Sequence, residues 1–404
     1  MALGKQANRL AGSCAAFIAS VLACSAYAID PAYIEAQPFY IQPTLLARVG
    51  YNDNIYANQN VQVSDTVRIL RPRLQAWLNN DANTYSVAVE AINTRYRTES
   101  KNDATDYKLN LDIHQVINNK NVLDLYAEVF QTHENLGNGF TEGDIALELD
   151  TPVKYHKKQI GGIYNYGTPE ADTRFTLEAR RQTYESQNYR EYTAYRDRTQ
   201  DRLSGTVFYQ VASKTSAFVR LTHGQTDYND DIDDATAGTL DSTENSWVAG
   251  LAWAATGKTS GSVGVGSFKR EFDDPSRASV KGSHWDMAVN WSPKSYSQVD
   301  AVMRRRSHET YGVGDFVNSK EYSLRWNHFW AQRFSHNIYV RLSDDTYEAT
   351  TRQDDRLDAG ITLTYAFRRW FDLALGYSYH KRTTNADNLD FNRNVYFLEV
   401  KLSL

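Results

Sequence analysis

The stretch "DRLDAGITLTYAFRRWFDLALGYSYHKR", residues 355–382, alternates strictly on either side of a two-arginine break. Leu357, Ala359, Ile361, Leu363, Tyr365 and Phe367 fall on one face, with Arg356, Asp358, Gly360, Thr362 and Thr364 on the other. After Arg368 and Arg369 the pattern resumes, Phe371, Leu373, Leu375, Tyr377 and Tyr379 opposing Asp372, Ala374, Gly376, Ser378 and His380. A period of two is a strand period, and the short break joins the two strands as a hairpin. Each strand is longer than a globular core usually needs, so the nature of whatever covers its apolar face decides the fold.

The pattern recurs through the chain. Eighteen period-two segments start near residues 43, 66, 83, 105, 121, 152, 170, 200, 214, 245, 258, 281, 295, 319, 334, 355, 370 and 392. Short connections such as "NNK" (118–120), "ASK" (212–214) and "AQR" (331–333) alternate with long polar ones at 183–199, 227–245 and 270–282. That asymmetry predicts an all-β, antiparallel transmembrane barrel of about eighteen strands over residues 43–404, with sixteen as the nearest alternative count. The apolar face then lies against lipid, and the sheet must close, because an unpaired edge in hydrocarbon leaves N–H and C=O groups unsatisfied. The mean hydropathy of −0.59 suggests a soluble chain only until half of every strand is given a polar lumen. Trp247, Trp253, Trp285, Trp291, Trp326 and Trp330 sit near strand ends in phase with the apolar face, as an interfacial girdle does. Around Pro72 the alternation of 68–78 changes phase, which predicts a bulge or an edge irregularity.

The N-terminus reads as a secretory signal peptide over residues 1–28. Lys5 and Arg9 precede the apolar "LAGSCAAFIASVLAC", and "AYA" (26–28) supplies a cleavage pattern after Ala28. Residues 29–42 are then a short periplasmic lead-in, and the barrel belongs in the outer membrane of a Gram-negative cell. Cys14 and Cys24 are the only cysteines and both fall in the signal, Cys24 in a weak lipoprotein box. Cleavage removes two positive charges and no negative one, so the formal charge moves from −5 to −7 and argues against a nucleic-acid partner.

Phase assigns the inward residues. Arg304 and Arg306, Arg325 and Arg341 lie on neighbouring strands at similar mid-membrane heights, and Arg220, Arg180 and Arg174 extend the basic wall on earlier strands. Their acidic counterparts include Asp286, Asp300, Glu321, Asp358, Glu90, Asp112, Asp124 and Glu128. Such a lumen selects anionic or strongly polar solutes, or its charges simply pair with one another. In the loop 183–199, Tyr189, Tyr192 and Tyr195 beside Arg190 suit a sugar chain, by ring stacking and guanidinium hydrogen bonds, or form a solvated rim. The acidic loop 227–245, with Asp227, Asp230, Asp231, Asp233, Asp234, Asp241 and Glu244, lacks the spacing of a calcium-binding loop. No metal ligand set, cofactor motif or catalytic constellation stands out. His133, His308 and His380 approach outer strand ends without a serine motif beside them.

Four segments carry a family resemblance: "VGYNDNIYANQN" (49–60), "SDTVRILRPRLQAWLNND" (64–81), "RYRTESKNDATDYKLNLD" (95–112) and "FQTHENLG" (130–137). With the Asp53-Asn54 pair, the Asp65-to-Pro72 segment, Asp106-Tyr107 and Glu134, the chain resembles the β-barrel porins encoded with exopolysaccharide and capsule genes. The resemblance implies an outer-membrane conduit for polysaccharide export, embedded in lipid and lipopolysaccharide and working with periplasmic export components. It carries over no agreed binding residues, and Asp53, Asn54, Pro72 and Glu134 read as structural. Two other functions fit the same barrel. A general or anion-preferring diffusion porin requires a long loop folded into the lumen, for which 134–150 is the candidate. A barrel enzyme requires a titrating site at the rim.

Overall fold

Alternation in the sequence becomes one closed sheet in the computed structural model, which describes residues 32–229, 239–310 and 312–403. A short strand, β1 (Ile34–Ala36), folds back onto β2 (Phe39–Asn52). There follow β3 (Asp65–Asn80), β4 (Asn83–Tyr96), β5 (Ala104–Asn118), β6 (Asn121–Glu134), β7 (Val153–Tyr166), β8 (Thr173–Ser186) and β9 (Arg198–Ala212). The second half comprises β10 (Thr215–Tyr228), β11 (Ser242–Thr256), β12 (Thr259–Phe272), β13 (Val280–Lys294) and β14 (Ser297–His308). It ends with β15 (Val317–Ala331), β16 (Phe334–Tyr347), β17 (Gln353–Arg368), β18 (Phe371–Thr384) and β19 (Phe391–Ser403). Each strand from β2 pairs antiparallel with the next, and β19 closes on β2 through pairs such as Glu399–Arg48. The barrel has the eighteen strands expected. Residues 1–28 and Leu404 lie outside the described residues, and the stretch expected as a lead-in already holds β1 and the start of β2.

Strands of 12 to 16 residues exceed the ~9–11 that cross a bilayer. The surplus stands above the membrane at the loop end. The loops there are L1 (53–64), L2 (97–103), L3 (135–152), L4 (187–197), L5 (229–241), L6 (273–279), L7 (309–316), L8 (348–352) and L9 (385–390). Outward positions carry a band of exposed aliphatic side chains, Ile160, Leu221 and Val265 each more than 60% exposed. So broad an apolar belt has lipid as its solvent. All six tryptophans of the expected girdle point outward; at the short-turn end, Trp326, His328, Trp330 and His336 form one ring cluster.

Of the two expectations at Pro72, the bulge fails and the irregularity is found. β3 has no register shift against β2 across Pro72, which faces lipid opposite Leu45. On the β4 side, Arg71 and Pro72 are unpaired, yet Leu70–Asn93 and Arg73–Glu90 keep the same register. Proline removes an N–H without inserting a residue, so the ladder has a gap and not a bulge. On the lumen face, rings lie over glycines directly across from them: Tyr126 over Gly161, Phe268 over Gly282, Tyr339 over Gly360 and Phe397 over Gly376. Each glycine makes room for a ring flat against the wall, which stiffens the sheet and keeps the lumen clear.

Candidate functional site: a charged lumen beneath a mouth of folded loops

Register fixes which side chains enter the lumen. Arg174, Arg180, Arg220, Arg304, Arg306, Arg325 and Arg341 all point inward, but their surroundings divide them. Arg304 and Arg306 both hold Glu321, each at 2.6 Å. Arg220 crosses two strands to Asp286 at 3.4 Å, over Val248 and the flat patch left by Gly264. Arg174 donates to Ser216 Oγ at 3.2 Å and covers the Phe208 ring. Arg325 and Arg341 make no hydrogen bond or ion pair among the described residues.

A second pair like them went unread in the sequence. Arg202 on β9 sits directly opposite Arg180 on β8, and neither has a hydrogen-bonding or ionic partner among the described residues. Like charges facing each other across a ladder are unfavourable without an anion between them. Arg180 and Arg341 are each the eighth residue of a 14-residue strand counted from the short turns. The two unpaired groups therefore stand at matching levels on β8–β9 and β15–β16, well apart around the ring. Lys157 is likewise unpaired, whereas Asp124 pairs with His114 at 2.6 Å and Asp358 with His380 at 2.5 Å. Glu128 and Glu178 are unpaired inward acids, so the uncompensated charge of the lumen is chiefly positive.

The mouth is built from loops. L1 and L3 share a small dry core of Ile55, Tyr56, Leu136 and Ala146, edged by Val63, Tyr96, Leu147 and Leu149. Gly137, at φ +90°, lies so close to the Tyr56 carbonyl that a side chain there would collide with it. Tyr56 donates to Glu99 at 2.7 Å, and burial together with that carboxylate pushes its hydroxyl well above the ordinary tyrosine range. From β6, L3 runs past β5, β4, β3, β2 and β19, touching L2, L1 and L9 on the way, to reach the outer end of β18, six strands round the ring. There Glu142 accepts hydrogen bonds from Arg352 at 2.7 Å and Arg382 at 2.8 Å. Arg352 also holds Asp354 at 2.7 Å; burial disfavours its charge, but Asp354 and Glu142 outweigh that and raise its pKa. The 134–150 segment is thus a long loop folded over about a third of the rim.

L4 and L7 narrow the mouth from the other side. Arg196, almost fully buried, pairs with Glu134 at the end of β6. In L7, Glu309 takes Arg270 at 2.6 Å and the Tyr228 hydroxyl at 2.6 Å. Burial pushes the Glu309 carboxyl up, but Arg270 and Arg198 outweigh it and hold it below the usual range. The loop residues proposed for sugar contact are mostly spent on this framework. Tyr189 bonds Thr151 at 3.1 Å, Arg190 pairs with Asp197, and the Tyr195 hydroxyl abuts Gly312 of L7. Tyr192 stays outside, 56% exposed and stacked on Phe140, and the Arg190 side chain is 46% exposed beside its ion pair.

The pattern residues also belong to the mouth. Asp53 binds Asn394 across the β2–β19 seam, at 2.7 Å to both its backbone and side-chain nitrogens. Asn54 ties L1 to Asn58 and Asn392, and Glu134 receives Arg196. Of the rim histidines, His133 holds Asp106 and His380 holds Asp358, while His308 lies at the outer end of β14. Asp230, Asp231, Asp233 and Asp234 fall outside the described residues; no group of metal-ligating side chains occurs among the described ones.

A closed eighteen-stranded barrel with a lipid-facing belt, charged lumen and loops folded over one end defines the class: an outer-membrane β-barrel porin. More narrowly, the chain belongs to the family described as "Putative beta-barrel porin 2", whose sequence model matches residues 27–404. Among curated proteins none matches it. Solved porins are similar to it at low identity. OpdK of Pseudomonas aeruginosa with vanillate is 10% identical, covering 92% of this chain and 100% of its own, with a TM-score of 0.47. OccK2 (OpdF) of the same organism, solved with glucuronate, is 9% identical over 90% and 98%, with a TM-score of 0.47. A BenF-like porin from Pseudomonas fluorescens Pf-5 is 9% identical over 91% and 99%, also at 0.47.

Proposed function

We propose that this porin passes small anionic or strongly polar solutes by passive diffusion. The observation that carries the reading is the pairing of a mouth narrowed by L3 with two unpaired arginine groups, Arg180–Arg202 and Arg325–Arg341, beneath it. A solute entering between the loops meets guanidinium groups at matching heights from separate arcs of the wall. Their planar donors suit carboxylates, and several separated, moderate sites favour passage over capture. Polysaccharide export, implied by the sequence resemblance, is the second reading, and under it the contacts of L3 with Arg352 and Arg382 and of L4 with Glu134 border the path of the polymer.

Liposome swelling tests the proposal. Proteoliposomes of the mature chain are expected to admit a sugar acid faster than the neutral sugar of equal size, and to exclude long oligosaccharides. Equal rates for acid and neutral solute would remove the anion preference. A gene deletion that traps polymer in the periplasm, without slowing uptake of small solutes, would establish export instead.

A further inference from the structure

The lipid-facing side of the barrel from β8 to β13 is not evenly convex. Leu177, Leu203, Leu221 and Trp247 border a groove of about 1160 Å³ that passes over Gly205. Its lower part is apolar and its extracellular edge is not, since Lys269 and Lys281 stand there. Register places these two lysines directly opposite each other on the outward face. Two strands on, Arg305 and Lys320 form another opposed outward pair of cations.

Like charges directly opposite destabilise a ladder, and cations on a lipid-facing surface near hydrocarbon add to the cost. The local carboxylates balance two of the four. Glu271 pairs with Lys269, and Asp344 with Lys320 at 2.7 Å. Arg305 has only the neutral oxygens of Asn318 and Ser283. Lys281 has no hydrogen bond or ion pair among the described residues. All four cations lie within the last few residues of the extracellular strand ends, where the headgroups of the outer leaflet begin.

We propose that this groove is a specific binding site for lipid A, the acylated and phosphorylated glycolipid that anchors lipopolysaccharide. Its acyl chains lie along Leu203, Gly205 and Leu221, and a phosphate sits between the Lys269 and Lys281 ammonium groups. A phosphate there turns their repulsion into charge-assisted hydrogen bonds on both sides. Charge and shape select the occupant together: free phosphate leaves the groove empty, and a neutral lipid leaves Lys281 without a counter-charge and Lys269 with Glu271 alone.

The mature chain in nonionic detergent micelles, titrated with fluorescent diphosphoryl lipid A, provides the test. Wild type is expected to bind saturably. Lys269→Gln with Lys281→Gln should weaken binding about tenfold or more, two lysines' attraction to an anionic headgroup being lost. Gly205→Leu fills the groove without touching the lysines, since the nearest atom to an added Cβ is 3.8 Å away; it should weaken binding too. Lys154→Gln with Lys158→Gln, outward on β7, should bind as wild type, and the heat-modifiable gel shift reports folding for every variant. The proposal fails if the two groove variants, both folded, bind as wild type. It fails equally if phosphatidylglycerol competes as well as lipid A, or if millimolar inorganic phosphate displaces the probe.

Discussion

The wall and the mouth of this barrel use the same residue types in different ways. In the wall, charged partners are near neighbours in the ladder. Arg304 and Glu321 are register partners, as are His114 and Asp124, and Asp358 and His380. In the mouth, partners come from distant parts of the chain: Glu142 meets Arg352 and Arg382, 210 and 240 residues away. The wall stands on backbone hydrogen bonds that any strand-compatible side chain leaves intact. Loop positions in the mouth stand on a few nearly buried ion pairs, and these decide how wide the passage is. Aperture is therefore adjustable in the mouth without endangering the barrel.

Breaking the longest mouth contact should have the largest effect. Glu142→Ala leaves Arg382 without its carboxylate and Arg352 with only Asp354, a change worth up to ~3 kcal/mol for one side of a buried pair. L3 is then expected to leave the outer end of β18, raising single-channel conductance about twofold or more in planar bilayers while the thermal unfolding of the barrel stays put. An unchanged conductance would mean that L3 is held by its dry core instead. Glu309→Gln should come next, because it leaves the buried Arg270 guanidinium with only the longer contact to Glu244 at 3.7 Å, at roughly 2 kcal/mol. Faster proteolysis within L7 is the readout.

Acid should mimic that second variant. The Glu309 carboxyl is held below its ordinary range by Arg270 and Arg198, against the upward push of burial. Protons therefore bind it less readily in the docked loop than in a released one. Its contribution to docking is complete above the ordinary glutamate range and declines as pH falls below it. L7 cleavage by an acid-tolerant protease should rise over that window in wild type, and much less in Glu309→Gln. The smallest effect belongs to the wall: Arg304→Gln leaves Arg306 on Glu321, and should change unfolding by under ~1 kcal/mol and conductance little. A large loss there would erase the contrast between wall and mouth.

The legibility of the sequence follows the same division. A period of two, sustained over eighteen segments, specifies strand count, face and closure, because slipping a strand by one residue exchanges its lipid and lumen faces. Phase alone placed all seven proposed arginines inside. It did not place Arg202, though Leu203, Gly205, Val207 and Tyr209 set the phase; the ragged, arginine-rich entry to β9 hid it. Pro72 misled because a missing donor looks, in a sequence, like an inserted residue. Glu142 could not be read at all: L3 has no period, and its partners lie on strands that only barrel closure brings within reach. Composition likewise does not reveal that the polar atoms of Tyr189 and Arg190 bind Thr151 and Asp197.

The central claim is that unpaired arginines at matching heights give a loop-narrowed lumen its preference for anions. Zero-current potential across a tenfold KCl gradient tests it most directly, comparing wild type with Arg180→Gln/Arg202→Gln and with the charge-conserving pair variant Arg304→Gln/Glu321→Gln. The account predicts a chloride-selective potential in wild type. It should fall markedly towards zero in the Arg180/Arg202 variant and shift less in the other, which removes one charge of each sign. A cation-selective wild type, or an Arg180/Arg202 variant indistinguishable from it, would contradict the account.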